Sequence, residues 1–340
     1  MFELSVREPV SCSTYKWRGG VGGRWSDPSN WDVKDVPSSE AVVVFDQPGF
    51  TQVTVDGAVT VKSLFVSNSA ANVVFQSGSG GRLQFAAVGA TLSVEAGSLT
   101  IGDLNGGVVG SPGLSIRAAS GSLLEVEAGG VLSAGTVAIE QGAELSLLSD
   151  VSAQAIVQAA SVDNRGLVAG NGRIDGVLAN HGRVRPRLSG SASVPSVLVV
   201  ETLESSETAP QSAIEIEVGA QPPLLGTISS IAVRAAASLR NRLVIDHAAE
   251  GFSIGSRLSC ISRDASTPLA RIAGQFDSFE GLGWGEDKWV AVLHEGLRPK
   301  TLIDTRADER TSNVQMLVMS RPRVYVPTSR QGRPYPVIGP

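Results

Sequence analysis

The sequence predicts an all-β chain, a single-stranded β-helix (β-solenoid) with capped ends and a β-rich C-terminal module. Three observations carry that expectation. First, Asn164-Arg165-Gly166 returns as Asn180-His181-Gly182 after 16 residues, and at the same interval Val162 falls opposite Leu178 and Val168 opposite Val184. Second, apolar and polar residues alternate in short runs through residues 51–149 with no helical period, as in Val53/Val55, Leu64/Val66, Leu92/Val94, Leu124/Val126 and Val137/Ile139. That is the period of a strand three to five residues long. Third, the chain holds 38 glycines, 42% hydrophobic and only 18% charged residues, the balance of many short strands, tight turns and small side chains. Coils of strand, turn and strand, stacked one on the next, satisfy all three.

Residues 1–50 are expected to form an aromatic N-terminal cap. They hold Trp17, Trp25 and Trp31 among turn-forming residues such as Ser26-Asp-Pro-Ser-Asn30. The first coil of a stack exposes an open core that large rings can close. The functional alternative for the same rings is a sugar-binding platform. Residues 51–200 are expected to be the coils. Val94-Glu-Ala-Gly97 recurs as Val126-Glu-Ala-Gly129, 32 residues later, which reads as two intervals of 16 and suggests coils of about 16 to 20 residues. At about 4.8 Å per coil this part would form a rod on the order of 40 Å long. A sandwich of hairpins would also give short alternating strands, but not repeats in fixed register, and ranks second.

Residues 201–310 read as a C-terminal β module and cap. Ala213-Ile-Glu-Ile-Glu-Val218 alternates strictly, Val290-Ala-Val-Leu293 reads as a strand, and Trp284 and Trp289 sit among glycines as candidate cap residues. Residues 235–239 (AAASL) are also readable as a short helical turn. Residues 311–340 read as an Arg/Pro-rich C-terminal strand and arm. The strand is Val314-Gln-Met-Leu-Val-Met319, and no Asp or Glu follows Thr311. Arg321, Arg323, Tyr325, Arg330, Arg333 and Tyr335 alternate with prolines, a composition that builds no core and suits contact with a neighbouring subunit.

Chemistry is sparse. His181, His247 and His294 lack partners at metal-ligand spacing, and no nucleophile elbow or phosphate-binding loop occurs. No catalytic, cofactor-binding or metal-binding residue is therefore assigned. Carbohydrate-cleaving β-helices use paired carboxylates on one exposed sheet. Glu95 and Glu127 are the candidates, because they hold equivalent places in the Val-Glu-Ala-Gly repeats. Glu215 and Glu217 alternate with Ile214, Ile216 and Val218 as on any half-buried strand, and Asp103, Asp163 and Asp175 fall in turns. Cys12 and Cys260 either bridge the ends or remain two thiols. A net charge of −5 predicts no nucleic-acid partner, and no apolar run reaches the length of a membrane span. The opening MFELSVREPVSCSTYKWRGG holds no apolar signal-peptide core. The protein is then cytosolic when made, exported by another route, or a fragment.

A family resemblance rests on particular motifs. These are Ala213-Ile-Glu-Ile-Glu-Val-Gly219, Gly251-Phe-Ser-Ile-Gly-Ser-Arg-Leu258, Cys260-Ile261, Gly274-Gln-Phe276 and the Trp-x-Gly…Trp-Ser-Asp-x-x-Asn-Trp opening at 17–31. Together they resemble the passenger solenoids of bacterial autotransporters and related secreted β-helix proteins, over about 230 residues. The resemblance implies fold and not activity. The chain shows neither the secretion signal nor the C-terminal membrane barrel of those proteins. The expected function is a non-enzymatic structural β-solenoid of a virion or an extracellular or cell-surface assembly (capsid decoration, spike or fibre). Its partners would be copies of itself, neighbouring subunits or surface glycans. An autotransporter-like adhesin is the second reading, and a polysaccharide-degrading β-helix the third.

Overall fold

The computed structural model describes residues 13–78, 80–85, 89–102, 108–188, 196–205, 212–217, 228–240, 242–246, 257–264, 266–267, 270–275, 278–281, 288–294, 306–307 and 313–320. Valine, leucine and isoleucine at alternate positions favour extended backbone and put one apolar face inward. A short strand of this kind cannot bury that face alone, so it must stack on copies of its own pattern. Most of the described strands do so in three parallel rows.

The first row begins with Thr14–Lys16, which pairs with Val42–Phe45. It continues through Ser63, Thr91, Ser115, Thr136, Ser161, Val177, Thr202, Ala236 and Arg271, each aligned with the one before. The next residue of every segment points inward. The resulting column starts with Tyr15, Val43, Leu64 and Leu92, and ends with Leu178, Leu203, Ala237 and Ile272, all buried. The second row runs from Gly22–Arg24 and Gly49–Val55 to Arg242–Asp246 and Ser278–Gly281. The third includes residues 131–134, 156–159, 173–175, 197–200 and 230–233. Ala58–Val61 and Arg82–Phe85 pair on their own. The chain visits first, second and third row in that order, again and again. The fold is thus all-β, with a long parallel sheet of about twenty strands, an architecture compatible with a β-solenoid.

Both ends are specialised. Trp17, Trp25 and Trp31 fill the interior of the first turn, each almost fully buried. Trp31 meets Trp17 edge-on at 5.0 Å and Trp25 at 4.9 Å between ring centroids, and its Nε1 donates to the Trp25 carbonyl at 2.9 Å. Phe45 and Phe75 carry the aromatic packing on to later strands. At the other end the direction reverses. Asn313–Ser320 runs antiparallel to both Arg257–Arg263 and Lys288–His294, and Arg306–Ala307 runs antiparallel to the end of Arg271–Gln275.

Three expectations change. Parallel pairing is not confined to residues 51–200; among the described residues it extends from Thr14 to Gly281. Stacked partners lie 16 residues apart for Val162 and Leu178 but 35 apart for Ala237 and Ile272. The spacing between paired segments is therefore not fixed. Residues 235–239 belong to the strand Ser230–Leu239 and form no helical turn, because Ala237 and Leu239 supply the inward positions of the first row.

Asp46 ties the first turn to the second. Its carboxylate accepts from Lys16 Nζ at 2.9 Å and Arg18 Nη1 at 2.7 Å. Burial pushes this carboxyl up, but hydrogen bonds from Gln47, Lys16 and Arg18 outweigh that and hold it well below the usual carboxylate range. A depressed pKa means the folded state favours the charged form. The contribution is full above the unfolded value near 4 and fades as pH falls through the folded one. Asp46→Asn is expected to lower stability at neutral pH by about 1 kcal/mol, since these groups stay partly solvated. The gap between variant and parent should narrow in urea titrations below about pH 4. A gap that stayed constant across that range would remove Asp46 from the acid response.

Candidate interaction surface

The candidate surface lies on the outer side of the second row and on the corner through which the chain enters it. Thr100, Glu125, Ser146, Ala169 and Arg185 stack in one outward column, and Glu215 aligns with Val244 farther along it. Outward positions on a sheet are ordinarily solvated. Here Glu215 is only 7% exposed, and Ala169 and Ser146 are buried. Charged residues flank the small ones in the same column. Arg185 grips Glu215 at 2.5 and 2.6 Å through two nitrogens, while Arg183 stands off the same carboxylate at 3.5 Å. Arg187 reaches back 43 residues in sequence to Glu144 at 2.6 Å. Glu125 lies near that pair. Burial pushes its carboxyl up, and the neighbouring Glu127 charge adds to the shift.

The corner is shaped by an asparagine ladder. Asn164 and Asn180 are both fully buried at equivalent positions. Asn164 Nδ2 donates to Asn180 Oδ1 and to the Arg183 carbonyl, each at 2.9 Å, and Asn180 Nδ2 donates to the Ala213 carbonyl at 3.3 Å. These amides satisfy backbone groups that the turn would otherwise bury without partners. They hold successive corners in register. Just outside them lies a cleft of about 550 Å³, lined by residues that include Gln141, Ala143, Glu144, Arg165, Leu167, Arg183 and Arg242. Its glycine corners cannot be widened. A Cβ on Gly166 would stand 2.2 Å from the Ala143 carbonyl oxygen, and one on Gly182 equally close to that of Gly166.

Among the described residues, the carboxylates singled out in the sequence do not assemble into a pair. Glu95 and Glu127 are not equivalent, a correction to the Val-Glu-Ala-Gly reading. Val94 aligns with Ala118 in the first row, whereas Val126 aligns with Ile101 and Leu147 in the second. Glu215 is held by arginines, and Glu217 accepts from the Leu188 amide. Asp163 pairs with Arg165 at 3.2 Å and faces His181 at 3.7 Å. Asp175 lies between Arg173 and Arg234, at 2.9 and 3.1 Å. Among the described residues, no group of three or more His, Cys, Asp or Glu could hold a metal ion, and no helix is long and apolar enough to cross a membrane.

Trp17, Trp25 and Trp31 come together, with their rings turned into the core and not outward as a sugar platform would require. Trp289 lies in the strand Lys288–His294. Trp284, Asp103, His247, Cys12 and the arm residues Arg321, Arg323, Tyr325, Arg330, Arg333 and Tyr335 lie outside the described residues. Cys260 is fully buried. Arg183, Arg185 and Arg187 are not among the candidate residues of the sequence. Their alternation with Val184 and Pro186 was the available signal, since the strand Arg183–Pro186 points the arginines outward. No protein-family model, curated protein or solved structure matches the chain.

Proposed function

We propose that the chain is a β-solenoid rod and a non-enzymatic structural component of a virion or surface assembly, of the capsid-decoration, spike or fibre type. It would bind copies of itself or neighbouring subunits. One observation carries this reading: the first row stays in register through eleven described segments, from Thr14–Lys16 to Arg271–Gln275. Ten steps of about 4.8 Å make a stack on the order of 48 Å. Rows on three sides resist bending, because flexing in any direction stretches the hydrogen bonds of at least one row. Such a body transmits position and load, and its flat sides offer extended contact without a dedicated motif. Antiparallel strands at the C-terminal end stop the parallel register, which protects against uncontrolled end-to-end growth.

Density-gradient sedimentation of the native source, with every fraction probed for this protein, tests the proposal. Co-migration with virus-like or filamentous particles at constant stoichiometry is the expected result. Recovery only as free monomer, or only with an outer membrane, would remove it and leave the adhesin reading.

A further inference from the structure

From the corner cleft we infer a binding site for an acidic polysaccharide, a chain of sugars carrying carboxylate or sulfate groups. This goes beyond the structural role and does not depend on it, because the cleft lies within one chain. The charges around it are unevenly paired. Glu144, the acidic residue among the described lining residues, is engaged by Arg187 at 2.6 Å. Glu215 is gripped by Arg185, so Arg183 is left at 3.5 Å and 48% exposed. Arg165 is 67% exposed and, among the described residues, is held only by Asp163 at 3.2 Å, a solvated pair of little strength. Arg165 and Arg183 can therefore turn toward an incoming anion at small cost. Their planar guanidinium groups suit bidentate contact with carboxylate or sulfate.

Size and lining select a sugar chain. About 550 Å³ lies in the range of pockets that enclose ligands well above the size of one inorganic anion. Leu167 offers an apolar surface to the C–H face of a sugar ring, and Gln141 can both donate to and accept from hydroxyls. Among the described residues the lining holds no aromatic ring, which single-stranded nucleic acid would use for base stacking. The cleft also runs along the stack. Its residues come from second-row entries at Glu144, Leu167, Arg183 and Arg242, with one further segment between the last two. Four steps of the stack extend about 19 Å, enough for several linked sugars.

The test titrates the purified full chain with polygalacturonate and with heparin. Dextran serves as a neutral chain and single-stranded DNA as a polyanion without sugar acids of this kind. At least one acidic polysaccharide should bind at about 0.15 M salt, with dextran inert and DNA weaker. Arg165→Glu and Arg183→Glu should each weaken binding by about tenfold. Arg82→Glu makes the same charge change on an exposed residue of the separate strand pair Ala58–Val61 and Arg82–Phe85 and should leave affinity within about twofold. Arg165→Gln and Arg183→Gln, checked by thermal melting, serve if the charge reversals disturb folding. The inference is overturned if neither acidic chain binds, if dextran or DNA binds as tightly, or if Arg82→Glu weakens binding as much as the cleft variants. Because sedimentation reads assembly and titration reads the cleft, either proposal can fail without the other.

Discussion

Trp31→Ala is expected to lower stability by about 3–5 kcal/mol, the range for removing a fully buried large aromatic side chain. Trp31 is the hub of the N-terminal core. It packs edge-on against Trp17, Trp25 and Tyr15 and donates to the Trp25 carbonyl. Neighbouring indoles cannot collapse into the gap, because Trp17 also packs on Phe45 and Trp25 on Phe75. The loss should be local. In a stack each segment contacts mainly its neighbours, so damage at one end frees the terminal turns before the middle. Amide exchange should speed up in Thr14–Lys16 and Val42–Phe45 and change little in Arg173–Asn180. Trp31→Phe, which keeps a ring, should show a smaller effect. Unchanged protection in Val42–Phe45 would mean that the tryptophans do not hold this end together.

The parts of the fold legible in the sequence were those where one residue repeats one role at constant spacing. Asn164 and Asn180 announced their alignment because each bonds the corner above it, and hence the same side chain recurs. Val162 with Leu178 and Val168 with Val184 followed from the same 16-residue turn. Elsewhere spacing misleads. The three rows demand the same alternation of small apolar and polar residues, so Val94 and Val126 carry one motif on different rows. Loop length also varies freely, since lengthening a surface loop adds little closure entropy. No sequence rule could then pair Arg187 with Glu144, or bring Arg165, Arg183 and Arg242 to one cleft. The outward arginines were visible as an alternation, but what faced them was not.

Gly176→Val should be comparably damaging for a different physical reason, with a loss of about 3–5 kcal/mol from combined backbone strain and overpacking. Gly176 turns the corner from the third row to the first. One residue there spans what Ala159 and Ala160 span in the preceding segment, where the register shifts between Gln158 and Ser161. The shortcut requires φ of +130°, and a Cβ would stand 1.7 Å from the Ala159 carbonyl oxygen. The colliding atom is backbone, held in the stack, so no rotamer change relieves it. Gly20→Ala separates the two contributions. Gly20 also has positive φ, +64°, yet nothing lies within 4 Å of its Cβ position, so only the strain of about 1–2 kcal/mol remains. Chemical denaturation of the two variants should rank Gly176→Val well below Gly20→Ala. The damage should also reach the cleft, because Asn180, Gly182 and Arg183 follow on the same segment and its continuation. A Gly176→Val protein that kept both parent-like stability and amide protection in Arg173–Asn180 would mean that this corner does not set the short 16-residue turn on which the ladder and the cleft depend.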